Sequence, residues 1–226
     1  MSATCDATGG LIDLSHVIEE GMTTYKGLPG PHLCDYWTRE GTATNFIDGS
    51  SFQLSRIDMV ANTGTYVDSP FHRYAEGKDL SELPLASLAN LQAIVVRRPF
   101  DQGLAVDADA FATLDLQGKA VLVHTGWDRH WRTDAYFSDH PFLTVAAARA
   151  LVDAGAAFVG IDSHNIDDTR KPARPVHTIL LGADVPIGEH MTNLGAVPDS
   201  GFRFSAVPPK IKGMGTFPVR AFAVLS

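Results

Sequence analysis

The residues of this chain best suited to chemistry lie in one short segment, residues 62–72, with the sequence Asn-Thr-Gly-Thr-Tyr-Val-Asp-Ser-Pro-Phe-His. Asp68 and His72 stand close together in it, and a carboxylate beside an imidazole can bind a divalent metal or move a proton. The unperturbed histidine pKa of about 6.5 suits His72 to proton transfer at neutral pH. Because Pro70 disfavours a helix, the two side chains are predicted on a strand end and the following loop.

Short strands are predicted on both sides of this segment. Residues 52–59 alternate apolar and polar side chains, which is typical of a half-buried strand running into the segment. Residues 91–96 and 120–125 are apolar, rich in β-branched side chains and bounded by turn residues, so they predict buried strands. Residues 11–17 begin as a further short strand.

One helix is predicted over residues 144–155, where strong helix formers follow Thr144 as an N-cap and end near Gly155. A buried strand over residues 157–162 follows directly. Residues 202–225 predict two more strands around a loop rich in proline and glycine. A helix followed by a strand, with strands more numerous elsewhere, indicates an α/β or α+β fold.

A single domain over residues 1–226 is predicted, since 226 residues suffice for one buried core and no repeat or long linker interrupts them. The net charge of −8 and the shortness of the basic clusters argue against a nucleic-acid partner. No apolar run approaches the roughly 20 residues of a membrane span. No phosphate-loop or dinucleotide motif occurs, so no nucleotide cofactor is expected.

A cytoplasmic location is expected, because the first ten residues carry neither the basic nor the apolar region of a secretory signal. Cys5 and Cys34 are the two cysteines of the chain. Two cysteines do not make a disulfide framework, so reduced thiols are predicted.

The segment Asn62 to His72 resembles the H-x-G-T-H-x-D-x-P-x-H signature of the cyclase family of metal-dependent hydrolases, which includes bacterial kynurenine formamidase and isatin hydrolase. Similarity to the family extends over nearly the whole chain, through the landmarks Asp13-Leu-Ser-His16, Thr125-Gly-Trp127, Gly160-Ile-Asp-Ser163 and Pro218-Val-Arg220. The resemblance implies a swivelling β/β/α fold, a small-molecule substrate and assembly as a homodimer or homotetramer.

The resemblance also implies roles for individual residues. In the family signature the first two histidines and the aspartate bind the metal, and the last histidine acts in catalysis. Carried over by position, Asp68, His177 and Glu189 are the surviving metal ligands and His72 is the catalytic residue. Asn62 and Tyr66 replace the first two histidines.

The two replacements predict a weakened and remodelled site. An amide oxygen is a poor substitute for imidazole, and a phenol with a pKa of about 10 must lose its proton to coordinate well. The oxygen-rich set favours Mn²⁺, Mg²⁺ or iron over tight tetrahedral Zn²⁺, although zinc stays a candidate. Tyr66 is predicted as an acid or oxyanion donor, and Asn62 as a substrate-orienting group.

Four more residues beside these landmarks are weaker candidates. His16 and Trp127 are candidates for substrate contact. His164 and His190 are candidate replacement ligands, with a loop or supporting role as the alternative.

Three functions remain open at this stage. The first is a hydrolase that cleaves a C–N or related acyl bond of a small molecule with water activated by a metal or by His72. The second is a metal-free acid–base enzyme, a cyclase, dehydratase or isomerase, that uses His72 and Tyr66. The third is a small-molecule binding protein without activity. The joint survival of Asp68, His72, His177 and Glu189 disfavours it.

Overall fold

The computed structural model describes residues 10–225. The helices are α1 (Arg39–Ala43), α2 (Val145–Asp153) and α3 (Pro175–Gly182). The strands are β1 (Leu11–Asp13), β2 (His32–Trp37), β3 (Leu54–Asp58), β4 (Tyr66–Asp68), β5 (Leu91–Arg97), β6 (Ala105–Val106), β7 (Ala120–His124), β8 (Phe142–Leu143), β9 (Phe158–Ile161), β10 (Ile187–Glu189), β11 (Phe202–Ser205), β12 (Thr216–Pro218) and β13 (Phe222–Leu225).

A nine-stranded mixed sheet organises the molecule, in the order β1-β13-β11-β5-β7-β9-β10-β4-β12. The four central strands, β5, β7, β9 and β10, are parallel neighbours. The outer strands pair antiparallel. Three helices and a mixed sheet confirm the α+β alternative of the predicted fold class.

Hydrophobic cores lie on both faces of the sheet, because alternate residues of a strand point to opposite sides. Val121 and Val123 of β7 join one core with Leu151 of α2. Leu122, between them, joins the other core with Phe204 of β11. A strand covered on both faces must be apolar throughout, which explains the continuous apolar run of β7.

Most of the predicted elements are confirmed. Strands β5, β7 and β9 and helix α2 lie where they were expected. The Thr144 hydroxyl accepts a hydrogen bond from the Ala147 N–H at 3.1 Å, as an N-cap should. Residues 202–225 form three strands rather than two, and α3 was not predicted.

The strand predicted over residues 52–59 is present as β3, but its predicted half-burial is wrong. All five residues of β3 are exposed, and this strand pairs only with β2. Residues 32–58, the arm, therefore form a separate hairpin with α1, and they expose large apolar side chains such as Tyr36, Trp37 and Ile57. Alternation predicts that one face packs, but within the described residues that face meets no core.

Other predictions are only partly tested by this fold. Among the described residues, no helix combines the length and apolar character needed to cross a membrane. Cys34 is a free thiol, while Cys5 lies outside the described residues. The homodimer or homotetramer, the cytoplasmic location and the single domain stay predictions.

Two glycines hold the turn that carries His72. Residues Pro70–His72 form one 3₁₀ turn directly after β4. A Cβ at Gly215 would lie 2.5 Å from the backbone nitrogen of His72, and one at Gly77 would lie 2.7 Å from the carbonyl carbon of Pro70. The Ser69 N–H also donates to the Gly215 carbonyl at 2.7 Å. Close backbone approach therefore fixes His72 against β12.

We expect Gly215→Ala to lower the melting temperature, because overpacking against a backbone costs about 1–3 kcal/mol. Gly195→Ala is the matched control, since its added Cβ would meet the nearest atom at an ordinary 3.4 Å. Thermal denaturation of both variants checks this. Equal melting temperatures would contradict the close fit of β12 on the turn.

Candidate active site

The candidate residues converge where β4 and β10 meet the first turn of α3. In the antiparallel β4–β10 pair, Tyr66 lies opposite Glu189. Asp68 is two residues along β4, so its side chain points to the same face as that of Tyr66. His177 enters from α3, and His72 enters from the 3₁₀ turn. The structure thus brings all five catalytic and metal candidates to one place.

His177 is oriented by a residue that sequence reasoning missed. Its Nδ1 lies 2.7 Å from Asp167 Oδ2, and the same carboxylate accepts the backbone N–H groups of Val176 and His177 at 2.8 and 3.0 Å. Asp167 therefore caps α3 and fixes the imidazole ring. This contact leaves His177 Nε2 facing Asp68 Oδ2 and Glu189 Oε1, each at 3.6 Å.

Three buried carboxylates surround this one imidazole, namely Asp68, Asp167 and Glu189. Burial alone would lower the pKa of His177, but the charge of Glu189 and contacts with Asp167 and Asp68 raise it to about 10. Burial, together with the charge of Asp68, raises the pKa of Glu189. Buried negative charge of this kind needs a compensating positive charge, from a proton or a cation.

The same cluster fits a divalent cation. Asp68 Oδ2 is buried and has no hydrogen-bond partner, so an acceptor is left open beside His177 Nε2. Asp68, His72 and His177 each offer a ligand atom, and these atoms all lie within 4.8 Å of one another. A histidine whose other nitrogen is held by a carboxylate is a common metal-ligand arrangement. The geometry therefore adds His72 to the predicted ligand candidates Asp68, His177 and Glu189.

Tyr66 is fixed in place as a hydrogen-bond donor to Glu189. Its hydroxyl donates to Glu189 Oε2 at 2.5 Å, and the side chain is 1% exposed. Burial, followed by the charges of Glu189 and Asp68, raises the pKa of Tyr66 well above its ordinary value. The phenol is therefore neutral at physiological pH, and its proton is engaged by Glu189. A phenolate ligand at this position does not fit this arrangement.

His72 takes part in a relay through Thr216, which lies opposite Asp68 in the β4–β12 pair. The Thr216 hydroxyl donates to Asp68 Oδ1 and lies 2.8 Å from His72 Nδ1. A hydroxyl has one proton to give, so His72 Nδ1 must carry the hydrogen of the second bond. Neutral His72 then has its lone pair on Nε2, and the side chain is 36% exposed. This nitrogen can accept a proton.

A cavity of about 260 Å³ opens beside these residues. Among its lining residues are the predicted Asn62, Tyr66, His72, His177 and Glu189, and the unpredicted Tyr25, Leu28, Arg73, Asn165 and Arg174. The unpredicted residues come from loops and from the start of α3. No local pattern in the sequence marks them, although Arg73 directly follows His72.

Two predicted substrate contacts do not line this cavity. His16 stacks on Trp131 with ring centroids 4.0 Å apart, and burial lowers its pKa to about 4. The Trp127 indole N–H donates to the Tyr136 carbonyl at 3.0 Å. Both side chains pack within the molecule, because each has an aromatic neighbour that covers it.

His164 and His190 support the site rather than join the ligand cluster of Asp68. The His190 ring packs 5.0 Å from the ring of Tyr66, and its Nε2 donates to the His164 carbonyl at 2.7 Å. Burial lowers the pKa of His190 well below its ordinary value and that of His164 to about 3. Neutral rings behind Tyr66 fit a packing role.

Comparison with known proteins gives consistent matches over nearly the whole chain. A kynurenine formamidase of Geobacillus thermodenitrificans (strain NG80-2) is 28% identical over 213 residues, covering 93% of this chain and 95% of that protein. A kynurenine formamidase of Salinibacter ruber (strain DSM 13855 / M31) is 29% identical over 218 residues, with coverage of 93% and 95%.

Solved structures show the same fold. One described as a potential metal-dependent hydrolase with cyclase activity has a TM-score of 0.74 at 28% identity, covering 94% of this chain and 96% of that one. An isatin hydrolase bound to the product analogue thioisatinate has a TM-score of 0.80 at 19% identity, with coverage of 95% and 92%. The predicted cyclase-type fold is confirmed.

A family model covers the greater part of the chain. The model described as "Putative cyclase" matches residues 12–168. This stretch includes the segment Asn62 to His72 on which the resemblance was based. The chain therefore belongs to the Cyclase family.

Proposed function

We propose that this chain is a hydrolase that cleaves the C–N bond of an amide, formamide or cyclic amide in a small molecule. The observation that carries this proposal is the relay from Asp68 through Thr216 to His72. It lies next to the buried cluster in which Asp68 Oδ2 has no hydrogen-bond partner. Similarity to kynurenine formamidases, whose name describes cleavage of a formamide, supports it. The altered residues Asn62 and Tyr66 make N-formylkynurenine a poor default substrate.

Asp68, His177 and Glu189 would hold a divalent cation, while Nε2 of His72 stays free to move a proton. Such a cation polarises a carbonyl and lowers the pKa of water when it is bound. Asp167 keeps Nε2 of His177 directed into the cluster. Tyr66 keeps Glu189 in place, because its short hydrogen bond engages the second carboxylate oxygen.

His72 moves the proton in this proposal. Its Nε2 accepts a proton from water as the water oxygen attacks the substrate carbonyl carbon. The same proton then passes to the amide nitrogen, so the C–N bond breaks and a neutral amine leaves. Asp68, whose Oδ1 is 3.6 Å from His72 Nδ1, stabilises the imidazolium formed between these steps.

The metal-free acid–base enzyme remains the second candidate, and one observation favours it. A proton on His177 neutralises part of the buried charge without any cation, and the relay to His72 runs through the Thr216 hydroxyl. A cyclase, dehydratase or isomerase could use such a site. Activity that resists chelators, and that falls more in Tyr66→Phe than in Glu189→Gln, would support this second candidate.

His72→Ala should lower kcat on the enzyme's preferred amide by roughly 10²–10⁴-fold, the usual contribution of a general acid–base group.

Thr216→Val should lower kcat by roughly 10–100-fold, as loss of a partner that orients a histidine does, whereas Thr216→Ser keeps the hydroxyl and most of the activity. Steady-state kinetics on a panel of aryl formamides and cyclic amides measures both. Full activity of His72→Ala with an unchanged melting temperature would overturn the assignment.

Purified protein should contain close to one divalent metal ion per chain, and Asp68→Asn or His177→Gln should lose most of it, because each removes a charged or imidazole ligand. Elemental analysis of untagged protein prepared without chelator gives the stoichiometry. Asp153→Asn, an exposed carboxylate on α2, is the control and should keep the metal. Metal-free wild type that takes up none on titration would favour the acid–base enzyme.

Metal-free protein should lose stability as the pH rises. The pKa of His177 is raised from 6.5 to about 10 on folding, so the folded state holds a proton that the unfolded state releases. This stability is fully present below about pH 6.5 and is lost as the pH rises toward about 10. Melting temperatures between these limits, with and without added Mn²⁺, measure the effect. A profile unchanged by His177→Gln would contradict it.

A further inference from the structure

Two arginines face the cavity with no anionic partner of their own. Arg73 and Arg174 both line it, close to the first turns of α3. Among residues 10–225, no carboxylate oxygen lies within 4.0 Å of either guanidinium. Arg170, four residues before Arg174, differs because it pairs with Asp168 at 2.7 Å. Two unpaired cations on one small cavity are available to a ligand.

Neighbouring groups hold each guanidinium but leave donors over. Arg73 donates from Nε to the Thr178 hydroxyl at 3.1 Å. Arg174 donates from Nη1 to the carbonyls of Lys171 and Ala173 at 2.6 and 2.9 Å. A guanidinium has five N–H donors, so both side chains keep N–H groups for another acceptor.

The N-terminus of α3 does not compete for such an acceptor. The first backbone N–H groups of α3, those of Val176 and His177, both donate to the Asp167 carboxylate. The buried carboxylates of Asp68 and Glu189 each lie 3.6 Å from His177 Nε2. The cavity lining therefore combines the buried carboxylate of Glu189 with the two cations Arg73 and Arg174. Tyr25 and Leu28 add an apolar wall.

We propose that the substrate is an anion, a small amide with a carboxylate that Arg73 and Arg174 bind while its scissile bond lies beside His72. This inference rests on the proposed function, because it names the substrate class of the same site. The planar guanidinium fork matches carboxylate and phosphate oxygens alike. A cavity of about 260 Å³ is near the small end of ligand sites, which favours the more compact carboxylate.

Binding of benzoate, benzamide and phenyl phosphate, measured by calorimetry on the protein as purified, tests the proposal without turnover. Benzoate should bind wild type, and Arg73→Gln and Arg174→Gln should each raise its Kd tenfold or more. Benzamide has the same shape without the charge, so its Kd should change less than twofold. Arg149→Gln, which removes an exposed arginine on α2 remote in sequence from the site, should leave all values unchanged.

Three results would overturn the carboxylate site. The first is no measurable binding of benzoate to wild type. The second is an equal loss of affinity for benzoate and for benzamide in the arginine variants. The third is tighter binding of phenyl phosphate than of benzoate. Kinetics separates this inference from the proposed function. Arginine-dependent binding of benzoate without hydrolysis of any amide would sink the hydrolase and keep the anion site, whereas hydrolysis of neutral amides alone would do the reverse.

Discussion

The burial of Asp68, Asp167 and Glu189 around the single imidazole of His177 is the constraint on which the site depends. Three carboxylates removed from water repel one another, and each must be protonated, hydrogen-bonded or paired with a cation. Asp167 is satisfied by α3, and Glu189 is satisfied by Tyr66 and by the Ile166 N–H. Only Asp68 keeps an oxygen without a partner, and this oxygen faces His177.

The replacement of a ligand histidine by Tyr66 is understandable in these terms. A neutral tyrosine cannot coordinate as a neutral imidazole does, but it can donate one hydrogen bond to a carboxylate. By donating to Glu189, Tyr66 stabilises the buried carboxylate without a cation at that oxygen. The neutral rings of His164 and His190 lie behind it and keep that part of the site free of positive charge. In this arrangement Tyr66 supports Glu189, and His72 keeps its hydrogen bond with Thr216.

The sequence alone predicts the central strands and the segment from Asn62 to His72, because each depends on residues close together in the chain. The far partners were harder to predict. His177 and Glu189 were found only through the resemblance. Thr216 is 148 residues from Asp68, and it was missed because a threonine on a strand carries no local sign of its partner.

Packing explains the other failures. Helix α3 has only eight residues and is apolar almost throughout, so no helical period marks it. The alternation of β3 correctly indicated a strand, but alternation does not state what the apolar face meets, and here the arm leaves it exposed. The arginines of the cavity were not predicted either, since an arginine in a loop is ordinarily a solvated side chain.

The count of protons released when a metal binds tests the central claim most directly. Titration of chelator-treated protein with Mn²⁺ or Zn²⁺ at neutral pH, in buffers of different ionisation enthalpy, gives this number by calorimetry. If the buried carboxylates hold a proton on His177 until a cation replaces it, binding should release about one proton or more per ion. Binding without proton release would mean that His177 is already neutral, and that the proposed charge balance of the site is wrong.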